Sequence, residues 1–171
     1  MKYIVYPSRN KWSKILKRPT QTFKEIETVV NQVFEDVQRI GDQAVRKYTK
    51  QFDRVSLSSI VVTKDETNAA VQKISNELKE AIQLAANNIE KFHKAQQSKR
   101  VYQETMPGVV CWQEKRPIQK VGLYIPGGTA PLFSTVLMLA IPAKLSGCQE
   151  IILCSPPNKE GNIADEILYA A

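Results

Sequence analysis

The stretch Val121–Pro157, VGLYIPGGTAPLFSTVLMLAIPAKLSGCQEIILCSPP, decides the fold of this chain. Two segments of strand length flank its centre: Ile118–Ile125, which begins just before the stretch, and Glu150–Cys154. Between them, Pro131 suits the first turn of a helix, where a missing N–H costs nothing, and Ser146-Gly147 is typical of a helix end. The pattern predicts one βαβ unit with parallel strands, a right-handed crossover and a sheet covered on both faces. We also expect Pro142 to kink or split the helix.

The loop Pro126-Gly127-Gly128-Thr129 lies between the first strand and the helix, where doubly wound folds bind ligands. Backbone amides and the positive end of a helix favour phosphates there. The loop is neither GxGxxG nor followed by GK[ST], so by itself it is a weak sign of nucleotide binding. Tyr124 precedes the loop and could either stack on a cofactor ring or lie in the core.

The first hundred residues are mostly helical by pattern. Residues 1–19 form a basic arm ending at Pro19. Capping boxes at Thr22–Glu25 and Thr63–Glu66, and a capping Ser75, predict three helix starts. Asp42 can cap a further helix.

Three β-rich segments are predicted outside the βαβ unit. Ile60–Val62 is a β-branched run and a candidate strand. Val101–Thr105 and Val109–Lys115 flank Met106-Pro107-Gly108-Val109, which has the Pro and Gly of a tight turn. The last two segments should lead from the helical part into the βαβ unit.

Composition excludes several classes of function. The 171 residues hold a single histidine, His93, which rules out a His-rich zinc site built from this chain alone. The three cysteines fit no disulfide or CxxC pattern, and Cys111 and Cys154 should be buried and inert. The net charge of +7 is spread out and comes with no nucleic-acid motif. No bilayer span or signal peptide is present in the pattern, which favours a cytoplasmic protein.

The run Val121–Pro157 closely resembles the corresponding region of the histidinol dehydrogenase family. The segments IGDQAVRKYTKQFD, NELKEAI, NIEKFHKAQ and PGVVCWQEKRPIQKVGLYIPGG resemble that family in order and spacing, as does ADEILYAA near the last residue. The resemblance covers nearly the whole chain and is weakest over the first 20 residues.

The resemblance implies an α/β fold: a helical N-terminal part with strands leading into an incomplete Rossmann-like parallel βαβ unit. It divides the chain into an arm (1–20), an incomplete first α/β domain (21–120) and the start of an NAD-binding domain (121–171). It implies oxidation of L-histidinol to L-histidine through histidinaldehyde, with two NAD, a zinc ion and a homodimer. Tyr124 corresponds to an NAD contact of the family, and Pro126 and Gly127 are neighbours of the cofactor.

The catalytic Glu-His pair and the zinc ligands of the family have no counterpart before Ala171. We therefore expect the chain to be inactive by itself. We also expect it to be a piece of a longer enzyme, because the last helical pattern has no stop signal. The alternative is a non-catalytic module that binds a nucleotide or a partner chain. A basic nucleic-acid-binding protein is a third and weaker hypothesis.

Overall fold

The computed structural model describes residues 4–17, 24–127 and 130–171, without the side chains of Lys24 and Glu25. The capping box expected at Thr22–Glu25 lies outside these residues. The chain divides into two compact units, Met1–Ala44 and Val45–Ala171.

The first unit is helical. Helix α1 spans Arg9–Ile15 and α2 spans Lys24–Ile40, and α3 (Asp42–Tyr48) begins at the end of this unit. Gly41, with φ of +55°, separates α2 from α3, as a glycine at a helix end does. The apolar residues of α2 follow helical spacing as predicted, but Phe34 remains 71% exposed within the described residues.

The second unit continues α3 as one π-helical turn, Thr49–Asp53, and then forms α4 (Lys64–Lys73) and α5 (Asn76–Ala95). The predicted capping box at α4 is confirmed. The Glu66 amide donates to Thr63 Oγ1 over 3.2 Å, and the Thr63 amide donates to Glu66 Oε2 over 2.7 Å. Ser75 caps α5 as predicted, accepting from the amide of Leu78 at 3.2 Å. Both helices therefore begin at residues that satisfy their first free amides.

The strand predicted at Ile60–Val62 is wrong. These residues form bends and extended backbone and pair with no strand in the described part of the chain. Val61 is 71% exposed. A β-branched run favours extended backbone, but a strand also needs a partner edge, which this segment lacks among those residues.

The hairpin is confirmed, with β1 at Val101–Met106 and β2 at Val109–Gln113 in antiparallel pairing. Gly108 has φ of +81°, which suits the third position of the predicted Pro-Gly turn. Neither strand contains a buried residue. Cys111 is therefore exposed, and its predicted burial is wrong, because no described element covers its face of the hairpin.

The parallel βαβ unit is also confirmed. It consists of β3 (Lys120–Tyr124), α6 (Phe133–Ser146) and β4 (Glu150–Cys154), with Lys120 opposite Glu150 and Tyr124 opposite Cys154. Helix α7 (Asp165–Ala170) follows. Ile125, Val136 and Ile167, each less than 5% exposed, form the core where β3, α6 and α7 meet. None of the described helices is long and apolar enough to cross a bilayer.

Three expectations for the βαβ unit are corrected. Its sheet is not covered on both faces among the described residues, because Tyr124 of β3 and Ile152 of β4 remain 64% and 52% exposed. Cys154 is exposed because side chains alternate along β4, and it is the neighbouring Leu153 that packs against the core. Of the two alternatives expected at Pro142, a split is wrong, since α6 continues through Pro142 to Ser146, and a kink stays a prediction. Pro142 removes one helical hydrogen bond, but neighbouring contacts hold the last turn. Gln97 of the segment after α5 donates to the Leu145 carbonyl over 2.9 Å, and Ser146 Oγ donates to the Pro142 carbonyl over 2.8 Å.

Candidate functional site

The candidate site lies at the carboxyl end of the parallel sheet. Tyr124 and Cys154 are the last paired residues of β3 and β4. The Ile125 amide then donates to the Cys154 carbonyl over 2.8 Å, so the segments that follow β3 and β4 leave the sheet side by side. In open α/β sheets this edge is where ligands bind, because loops from neighbouring strands separate there and leave a crevice.

A cavity of about 110 Å³ occupies the crevice. Its walls come from the loop after β3, the segment after β4 and the start of α7: Pro126, Gly127, Ala130, Pro131, Ser155, Pro156, Pro157, Asn158, Asn162, Ala164 and Ile167. Two of the three residues predicted for the site, Pro126 and Gly127, are thus brought together on one wall.

Gly127 lets the two loops approach closely. A Cβ atom at this position would lie 2.7 Å from Cγ of Pro156, nearer than real Cβ contacts come. The obstacle is a proline ring, which has little freedom to move aside. Glycine is therefore required here by the approach of the neighbouring loop, and the bare backbone at Gly127 faces the cavity wall.

Tyr124 lies at the same edge of the sheet with its side chain largely free. The residue is 64% exposed, so it is not part of the core that the described residues form. A tyrosine exposed beside a glycine-bearing loop presents a flat ring on which a cofactor ring can stack. It does not line the small cavity itself.

The start of α6 has no side-chain cap. Leu132 precedes the helix and its side chain makes no capping hydrogen bond, and the first turn contains no acidic residue. The amide of Thr135 already donates to the Leu132 carbonyl over 3.0 Å. Of the first amides, those of Phe133 and Ser134 could therefore bind an anion, which the helix dipole favours. This end of α6 follows the glycine loop in the chain, so it supports phosphate binding at the same edge.

The segment after β4 contains a contact that the sequence analysis missed. Oδ1 of Asn158 accepts hydrogen bonds from the amides of Glu160 and Asn162, at 3.0 and 2.9 Å. The sequence does contain a sign of this turn: Asn158 and Gly161 lie three positions apart, and both residue types favour tight turns. The turn shapes one wall of the cavity.

Charged groups with a displaced pKa lie away from this cavity. Hydrogen bonds from the backbone and hydroxyl of Thr63 lower the pKa of Glu66. A hydrogen bond from Lys94 and its charge lower the pKa of Glu90. Neither carboxyl lines the cavity, so both shifts reflect helix-stabilising contacts.

His93 also lies elsewhere. It borders an open groove of about 760 Å³ formed by residues near the ends of α5 and α6 and by Lys115, Arg116 and Pro117. Its Nδ1 is 2.7 Å from Gln96 Oε1, and its ring meets Phe92 edge-on. Within residues 4–17, 24–127 and 130–171, no three His, Cys, Asp or Glu side chains converge as metal ligands would.

Comparison with known proteins is consistent with this arrangement. The sequence matches the model of the histidinol dehydrogenase family over residues 16–171. Histidinol dehydrogenase from Bacteroides thetaiotaomicron is 53% identical over all 171 residues, which span 40% of that relative. The enzyme from Escherichia coli O6:H1 is 50% identical over 159 residues, covering 92% of this chain and 36% of the relative.

A solved structure gives the same result. The crystal structure of histidinol dehydrogenase from Elizabethkingia anophelis superposes with a TM-score of 0.91 at 50% identity, covering 96% of this chain and 38% of that one. The chain thus spans about 40% of the length of the curated relatives it matches. On the family match and these identities, the chain belongs to the histidinol dehydrogenase family.

Proposed function

We propose that this chain supplies part of the NAD site of an enzyme that oxidises L-histidinol to L-histidine through histidinaldehyde. The observation that carries the proposal is the crevice at the carboxyl end of β3 and β4, with Tyr124 exposed beside it. Residues 121–171 would then begin the NAD-binding domain, after an arm (1–20) and a first α/β domain (21–120). The parent enzyme would be a cytoplasmic homodimer, as the family resemblance implies.

The residues of the crevice suit one portion of a dinucleotide. The cavity of about 110 Å³ is smaller than the roughly 300–1,000 Å³ typical of whole small-molecule sites. It can therefore hold a single group, such as a phosphate or a sugar, while the rest of the cofactor lies along the open edge. Gly127 keeps side-chain atoms away from such a group, and Pro126 fixes the loop at the cavity wall.

Each of the named residues would bind and orient the cofactor. The exposed ring of Tyr124 would stack on a flat ring of NAD, and the uncapped start of α6 would attract its phosphates. A bound NAD⁺ would supply a hydride acceptor, and the two oxidations would need two NAD⁺ in turn, with water providing the second carboxylate oxygen. The described residues that line the crevice include no acid or base that could move a proton, so we assign no catalytic residue here.

Zinc does not fit the described part of this chain, since no three suitable ligands converge there. We propose that the zinc ligands and the proton-moving groups belong to the portion of the relatives that this chain does not match. The described residues would then contribute to cofactor binding and not to metal binding.

Titration of the protein with NAD tests the proposal. Replacing Tyr124 with Ala should raise the Kd for NAD about tenfold, because loss of a base–aromatic stack weakens binding by roughly 1–3 kcal/mol. Tyr102→Ala is the matched control, since Tyr102 is 66% exposed but lies on the hairpin. Both variants are made in the parent protein. An equal Kd for the two would remove Tyr124 from the site, and absence of NAD binding by the unaltered parent protein would end the proposal.

We keep a second candidate function, a non-catalytic binding module, because the described residues contain no cluster of three His, Cys, Asp or Glu side chains that could hold a metal. In that case the chain binds a nucleotide, or a partner chain, without turnover. Incubation of the parent protein with L-histidinol, NAD and zinc separates the two functions. Formation of NADH supports the dehydrogenase, whereas NAD binding without NADH supports the module.

A further inference from the structure

We propose that Asn158 is a positioning residue for the cofactor crevice. It acts through the turn Asn158–Asn162, here named the Asn158 turn, which joins the segment after β4 to α7. This inference rests on the proposed NAD site and adds to it a residue that touches no reacting atom.

The Asn158 turn is closed by four hydrogen bonds that all involve Asn158. Its side-chain Oδ1 accepts from the amides of Glu160 and Asn162. Its own amide donates to the Asn162 carbonyl over 2.8 Å, and its carbonyl accepts from the Gly161 amide at 3.0 Å. The side chain supplies two of the four bonds, and its loss would leave the turn with half of them.

The Asn158 turn is also fixed to the body of the second unit. Gly161 has φ of +85°, and a Cβ atom there would lie 3.2 Å from Cγ1 of Val55. Val55 is only 7% exposed. The turn therefore rests on a buried residue, and its position cannot shift on that side without displacing packed atoms.

The position of this turn sets the width of the crevice. Pro156 and Pro157 lead into it from β4, and Pro156 is the residue that a side chain at Gly127 would strike. Asn158 and Asn162 themselves line the cavity together with that loop. If the side-chain hydrogen bonds of Asn158 were lost, the turn would relax and the wall facing Gly127 would lose its fixed position.

This role predicts a specific pattern among substitutions. Asn158→Ala removes the side-chain acceptor, whereas Asn158→Asp keeps a carboxylate oxygen that can accept from the same two amides. Glu160→Ala is the matched control, because it changes an exposed side chain of the same turn while its amide still donates to Asn158.

Steady-state kinetics of the parent enzyme with NAD and L-histidinol provide the test. Asn158→Ala should raise KM for NAD about tenfold, the equivalent of two modest hydrogen bonds, and leave KM for L-histidinol within about twofold. Asn158→Asp should restore KM for NAD to within about threefold of the unaltered enzyme, and Glu160→Ala should match the unaltered enzyme.

Three results would overturn the inference. Asn158→Ala could behave as Glu160→Ala does; Asn158→Asp could be as impaired as Asn158→Ala; or Asn158→Ala could raise both KM values together with a large fall in Tm. Failure of the proposed NAD site is distinguishable, since the unaltered enzyme would then neither bind NAD nor form NADH, and the inference would fall with it.

Discussion

The antiparallel hairpin and the parallel βαβ unit are both two-stranded sheets, but they differ in burial. The hairpin, Val101–Gln113, has no buried residue, and its directly paired Tyr102 and Trp112 are 66% and 59% exposed. The βαβ unit contributes Ile125 and Val136, both at 0% exposure, to a core completed by α7. Strand pairing alone therefore does not create a core, which requires a helix packed against the sheet.

The difference also concerns what each glycine does. Gly108 in the hairpin has positive φ, and a Cβ atom added there would meet open space, so its role is to allow the turn. Gly127 in the βαβ unit has no such backbone requirement but stands against Pro156. Glycine is required in the hairpin by the backbone conformation of a turn, whereas it is required at the crevice by a tertiary contact.

The largest expected effect comes from replacing a valine with alanine once in the βαβ unit and once in the hairpin, which tests the difference in burial. Val136→Ala should lower the free energy of unfolding by about 2–3 kcal/mol, because it removes fully buried methyl groups and leaves a cavity. Val101→Ala, at a residue 53% exposed, should lower it by less than about 1 kcal/mol. Denaturant unfolding of both variants gives the comparison, and equal losses would show that the hairpin carries a core of its own.

An intermediate effect is expected at Gly127. Gly127→Ala should lower the free energy of unfolding by about 1–2 kcal/mol, because the added methyl group strikes the Pro156 ring. Gly122→Ala on β3 is the control, since a Cβ atom added at Gly122 would meet nothing within 4 Å. If thermal unfolding gave the two variants the same midpoint, the close approach of the two loops would be wrong.

The smallest effect concerns the capping box of α4, the helix that packs on α7. Because the folded state lowers the pKa of Glu66 below 4.5, its contribution to stability is present above that pH and is lost as pH falls through the lowered pKa. Glu66→Gln should therefore unfold more easily than the unaltered protein at about pH 6, with the difference shrinking towards about pH 3. Thermal unfolding midpoints across this range measure it; a difference independent of pH would contradict the assignment to the carboxylate.

Features fixed by neighbouring residues were predictable from the sequence. Thr63 and Ser75 begin helices because each can satisfy amides two or three residues away. The βαβ unit followed from apolar runs flanking a glycine loop. The placement of Pro131 in the first turn was wrong, because α6 begins at Phe133 after the cap residue Leu132.

Features that depend on distant partners were not predictable. Burial of Cys111 and Cys154 requires a covering element, and Ile60–Val62 requires a partner strand, but local pattern encodes neither. In the site, Tyr124, Pro126 and Gly127 were named from the family resemblance. Asn158 was missed because its role appears only when the turn closes beside the loop that contains Gly127.

The contact between α4 and α7 has a consequence for the order in which the molecule assembles. Lys73 on α4 pairs with Asp165 on α7 at 3.3 Å, across 92 positions of sequence. Contacts between such distant segments form slowly, because closing a long loop costs entropy before the contact offsets it. Ile167 of α7 is also a wall of the crevice. We therefore expect the hairpin to form early from local contacts and the contact between α4 and α7 to form late in folding.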